Sequence, residues 1–159
     1  MKIKWQDVKE LPIGHYDKDA YAAQIKEIYG NIKIIEHDFS ETSELPKSLT
    51  ISEAKHWLGG LCGALCIRKK IRFILNDTQC DERNAAGIYH PHWKNRHGQG
   101  WSHVIGFAYN YITMRVLLHE FAHFVCHVER MGVGHDNNYI ETLKFVWETA
   151  IYLKNKRAA

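Results

Sequence analysis

With 159 residues, 45% of them hydrophobic and 25% charged, the chain has the size and balance of a single globular domain, which excludes disorder and fibrous architectures. A formal net charge of +3 is too mild to demand nucleic acid as a partner. The apolar runs Val116 to Leu118 and Phe121 to Val125 are broken by His or Glu far short of the ~20 residues a bilayer requires, and Met1 to Asp7 lacks a secretory signal's apolar stretch, so a cytoplasmic protein with no membrane partner is expected.

From Lys18 to Tyr29 the apolar positions Tyr21, Ala22, Ile25, Ile28 and Tyr29 recur at helical spacing, and Gly30-Asn31 supplies a stop. Ile32 to His37 reads as a strand leading into the polar stretch Ser40 to Ser48, which contains Pro46. Thr50-Ile51-Ser52-Glu53 has the form of a capping box and opens a second helix with the stripe Ala54, Trp57, Leu58, Leu61, Cys62 and Leu65. Gly59, Gly60 and Gly63 work against its regularity. Lys70 to Asn76 alternates as a strand. Ala86 to His90 and Ser102 to Tyr109 form an antiparallel hairpin with the long tip Pro91 to Gly100. A long helix then spans Tyr111 to Met131, capped by Asn110 and ended by Gly132 and Gly134. Asp136 caps a last helix whose buried face is Tyr139, Ile140, Leu143, Val146, Trp147, Ala150 and Leu153. The class is α+β: a small, mostly antiparallel sheet packed on helices, in one domain over 1–159, with a core of about 50–153 and an N-terminal helix and strand extension over 1–49.

Cys62, Cys66, Cys80 and Cys126 contain no C-x-x-C spacing, so no zinc ribbon is expected, and Cys62 and Cys66 read as small buried apolar residues. Histidine is in excess at 11 residues, and its grouping carries the chemistry. His119-Glu120-Phe121-Ala122-His123 is an H-E-x-x-H string inside the long helix, where residues four apart share a face. Both imidazoles then point at one zinc ion, and Glu120 lies beside it as the general base. A catalytic zinc takes three protein ligands and keeps a fourth position for water, so one more ligand is needed. His127 continues the same helix, but three ligands over two turns span ~12 Å, too far to converge on one ion. His135 follows a Gly-Val-Gly turn and has room to swing back, which makes it the first choice. Glu141 and Glu148 on the last helix are the carboxylate alternatives.

With Gly134-His135-Asp136-Asn137-Asn138-Tyr139 after it, the motif resembles the SprT-like and related minimal zincin metallopeptidases, many of them phage- or bacteria-encoded. The resemblance covers roughly Thr50 to Leu153 in organisation. It implies a zincin-like fold, with His119, His123 and His135 as zinc ligands and Glu120 as catalyst of peptide-bond hydrolysis. The chain departs from the SprT pattern in lacking a cysteine ribbon and in carrying Asp136-Asn137-Asn138-Tyr139 where Gly-Pro-Glu-Phe is usual.

In such an enzyme zinc polarises the carbonyl and lowers the pKa of water from 15.7 to roughly 7, and Glu120 takes the proton and passes it to the leaving amine. The peptide or protein substrate adds as a strand to a sheet edge, for which Ser102 to Tyr109 is the candidate. Tyr109 or Tyr111 is the candidate phenolic donor to the oxyanion. The stretch His90 to His97, with Arg68, Lys69, Lys70 and Arg72, is the place where nucleic acid would dock, and His90, His92 and His97 are a weaker second metal group. A zinc-stabilised binding module without catalysis is the alternative function.

Overall fold

The computed structural model describes residues 18–132 and 134–158, apart from the side chains of residues 18–22, 24, 25 and 158. Met1 to Asp7, the side chains of Tyr21, Ala22 and Ile25, and Val133 of the expected turn therefore lie outside the described residues. In chain order the elements are α1 (Lys18–Thr42), β1 (Ser48–Leu49), α2 (Ile51–Ala64), β2 (Arg72–Ile74), α3 (Thr78–Arg83), β3 (Gly87–Lys94), β4 (Gly100–Phe107), β5 (Ile112–Thr113), α4 (Met114–Val128) and α5 (Asn137–Ala158). The class is α+β. One sheet is the antiparallel pair β1-β5; the other has the order β2-β4-β3, with β2 parallel and β3 antiparallel to β4. It is therefore a mixed sheet. No helix among the described residues is long and apolar enough to cross a membrane.

The strand expected over Ile32 to His37 is instead the second half of α1, a continuous helix of 25 residues. A mid-helix glycine costs about 1 kcal/mol relative to Ala, and packing outweighs it. Ile28, Ile32, Ile35 and Phe39 recur at helical spacing and all pack against the core, with Phe39 stacked on Trp147 at 5.6 Å. A run of isoleucines is ambiguous between strand and helix, and tertiary contact decides it here.

Helix α2 begins at the expected capping box: Glu53 N–H donates to Thr50 Oγ1 at 3.1 Å and Thr50 N–H to Glu53 Oε1 at 3.0 Å. The glycines do not break it. Gly60 faces α5, where an added Cβ would lie 3.2 Å from Arg157 and 3.4 Å from Leu153, so the two helices approach closely there. Of the two cysteines expected to be buried, Cys62 is half-buried and Cys66 is exposed, because the chain leaves the helix at Cys66 with φ of 55°.

The hairpin is longer than expected. Ladder pairs run from Gly87 with Phe107 to Lys94 with Gly100, and Trp93 stacks on Trp101 at 5.1 Å, so the tip shrinks to Asn95 to Gln99. Strand β4 is central, so Ser102 to Tyr109 is not an edge; the parallel pairing of β2 covers its other side, and β2 and β3 are the two edges. Behind the sheet, Asp77 caps α3 and its Oδ2 accepts a 2.7 Å hydrogen bond from His90 Nε2, both side chains being buried. Gly106 makes room for that pair, since a Cβ there would fall 1.9 Å from Asp77 Oδ2. Gly106→Ala is therefore expected to lower stability by about 3 kcal/mol, read as a shifted denaturant midpoint.

Helix α4 starts at Met114 rather than Tyr111, because Ile112 and Thr113 are taken up by β1 and Thr113 Oγ1 accepts the Val116 N–H at 3.2 Å; Asn110 is not the cap. It stops after Val128, where Arg130 adopts φ of 57° and Met131 N–H reaches back to Cys126 O at 2.8 Å. Leu117, Leu118, Phe121, Phe124 and Val125 bury its apolar side in one core with Trp57, Leu61, Ile105, Phe107, Leu143 and Trp147. The polar face of α4 is thereby aimed at α1, β3 and the start of α5.

Candidate metal centre

His119 and His123 lie one turn apart on α4, and the chain turns back beyond Gly132, at φ of 107°, to bring in His135. The three rings meet through their Nε2 atoms: His135 Nε2 is 3.2 Å from that of His119 and 2.9 Å from that of His123. Tyr139, the aromatic of the second motif, stacks on His123 at 4.3 Å and donates its hydroxyl to His119 O at 3.1 Å. Its own place is fixed by the Asp136 cap, whose Oδ1 accepts the Tyr139 N–H at 2.9 Å.

The protons on these rings are set by their neighbours. His119 Nδ1 lies 3.3 Å from the carboxylate of Glu36, an acceptor only, so the ring's proton sits on Nδ1 and Nε2 presents a lone pair. Burial works against charging His119, but the Glu36 hydrogen bond and the carboxylates of Glu120 and Glu36 outweigh it and raise its pKa. Burial, and then the neighbouring imidazoles, hold His123 well below the usual range and His135 at about 4. His135 Nε2 stands between the other two nitrogens, within hydrogen-bonding distance of both. A cation satisfies all three lone pairs at once. At Zn–N distances of 2.0–2.1 Å, tetrahedral ligands are about 3.3 Å apart, close to the spacing found.

Glu36 comes from α1, is buried, and also lies 3.6 Å from Arg115 Nε. Because a carboxylate behind a ligating imidazole fixes its tautomer and orientation, Glu36→Gln is expected to weaken the binding of any divalent metal that the three histidines hold about 10- to 100-fold, measured by competition with a calibrated chelator.

Glu120 is buried beside the histidines, its carboxylate 4.0 Å from His119 Nε2. Burial raises its pKa to about 7, partly offset by His119 and by a hydrogen bond from the Tyr89 backbone. Gly87 allows β3 this close: an added Cβ would lie 2.5 Å from Val116 and 3.2 Å from Glu120 Cγ. The histidines and Glu120 open on a cleft of about 920 Å³, with β3 on one side and Tyr29 and Lys33 of α1 on another.

The other expected site residues lie elsewhere. Tyr109 and Tyr111 are exposed, stacked on each other at 5.2 Å, and do not line the cleft; the pairing of Ile112 with Leu49 holds that segment at the β1-β5 sheet. Glu141 and Glu148 are exposed on α5 and do not join the three histidines. His127 Nδ1 instead meets the Tyr89 hydroxyl at 2.9 Å, which also meets His103 Nδ1 at 2.7 Å. His90 is buried on Asp77, while His92 and His97 are exposed, so these three do not form a metal group. Sequence reasoning missed Glu36, Tyr29 and Lys33, and only the spacing of positions 29, 33 and 36 on one helical face could have pointed to them, had α1 been read as continuous.

No protein family, curated protein or solved structure matches this chain.

Proposed function

We propose that this chain is a zinc-dependent metallopeptidase of the minimal zincin type, acting on a peptide or protein substrate. The observation that carries the proposal is the meeting of three imidazoles, with His135 Nε2 within hydrogen-bonding distance of those of His119 and His123, beside a buried carboxylate. Among the described residues no fourth His, Cys, Asp or Glu joins the group, which leaves a place for solvent and favours catalysis over a closed structural site. Zinc held there would supply a Lewis acid that polarises the scissile carbonyl and makes hydroxide available near neutral pH.

The rest falls to the chain itself. Glu120, whose pKa burial raises to about 7, accepts a proton from the attacking water and hands it to the leaving amine. Strand β3, the sheet edge beside the cleft, is the one on which an extended substrate pairs main chain to main chain, in place of Ser102 to Tyr109. Tyr29, its ring 5.0 Å from that of His135, takes the oxyanion-donor role expected of Tyr109 or Tyr111. The test is digestion of an unfolded protein by the zinc-loaded chain, with loss of cleavage on chelation and its return on adding zinc. Zinc binding with no cleavage of any peptide would leave the non-catalytic binding module as the better reading.

A further inference from the structure

The other edge of the three-stranded sheet, β2, opens on a groove of about 670 Å³ between β2 and α2 that shares no lining residue with the metal cleft. Leu58 and Phe73 lie in its apolar floor, Lys55, Lys69, Lys70 and Arg72 line it, and no Asp or Glu does. None of the four cations has a carboxylate within 4.0 Å among the described residues. Among the described residues no strand pairs with the outer edge of β2, and no backbone group of residues 69–74 bonds to backbone outside the β2-β4 ladder. Open main-chain groups, an apolar floor and uncompensated positive charge thus occur together.

We propose that this groove docks an acidic extended segment of a partner protein, added as a strand on β2, with alternate apolar side chains on the floor and carboxylates toward the lysines. A second copy of this chain is disfavoured, because two basic edges repel. Nucleic acid without sequence preference seeks aromatic faces to stack on, but Trp101 is engaged by Trp93 and Arg72, and Phe73 by Phe107.

The experiment is fluorescence anisotropy on the full chain with a short capped peptide of alternating Glu and Val. Saturable binding is expected, weakening as salt rises and falling about tenfold or more both in Lys69→Glu/Lys70→Glu and when a central Val of the peptide becomes Pro. His135→Ala is expected to leave binding unchanged, which separates this groove from the metal cleft. The substituted lysines are exposed, and thermal melting of the double variant and of Lys69→Ala checks that each folds. Absence of binding, equal binding of the Pro peptide, insensitivity to the lysine changes, or tighter binding of a single-stranded oligonucleotide that displaces the peptide would each overturn the proposal.

Discussion

Glu120→Gln is expected to retain zinc at the level of the unaltered protein while peptide hydrolysis falls about 10²- to 10⁴-fold, the range supplied by a positioned general base. The two side chains have the same shape, so the packing beside Gly87, where an added Cβ would lie 3.2 Å from Glu120 Cγ, is kept. What is lost is the ability to take a proton. Folding should not suffer, because burial already disfavours the charged carboxylate and the amide has no charge to desolvate. Turnover unchanged by this substitution would remove Glu120 from the reaction, and loss of zinc would mean that it serves the metal instead.

The second large effect is expected from His135→Ala, which should abolish zinc binding and the stability that zinc confers. A ligand present at about a thousandfold over its Kd stabilises the native state by about 4 kcal/mol, equivalent for a chain of this size to a rise in Tm of roughly 10 °C. The unaltered protein should show that rise on adding zinc. The His135→Ala protein should not, since only His119 and His123 remain. His127→Ala is the control, because its ring bonds to Tyr89 and lies outside the three-histidine group. A zinc-dependent rise in Tm that persists without His135 would show that the third ligand had been misassigned.

What could be read from the sequence was local. His119 and His123 share a face through helical periodicity alone, and the Thr50 and Asp136 caps depend on residues within three positions of one another. Three features depended on distant contacts and were not legible in the same way. Glu36 reaches His119 across 83 residues, and it comes within reach only because α1 runs unbroken through Gly30 to bury Ile32 and Phe39 on the core. Which strand forms the edge beside the metal cleft was decided by the parallel pairing of β2 with β4, an arrangement no hairpin signal announces. Tyr109 and Tyr111 stand just before the motif helix in sequence, yet the pairing of Ile112 with Leu49 turns their segment away from the histidines. Proximity along the chain was a poor guide to proximity in space.

X-ray absorption at the zinc edge reads out the ligands around the metal. Three imidazole nitrogens at 2.0–2.1 Å and one light oxygen scatterer are expected for the loaded protein. A sulfur scatterer near 2.3 Å, or a fourth protein ligand in the place of solvent, would contradict the account.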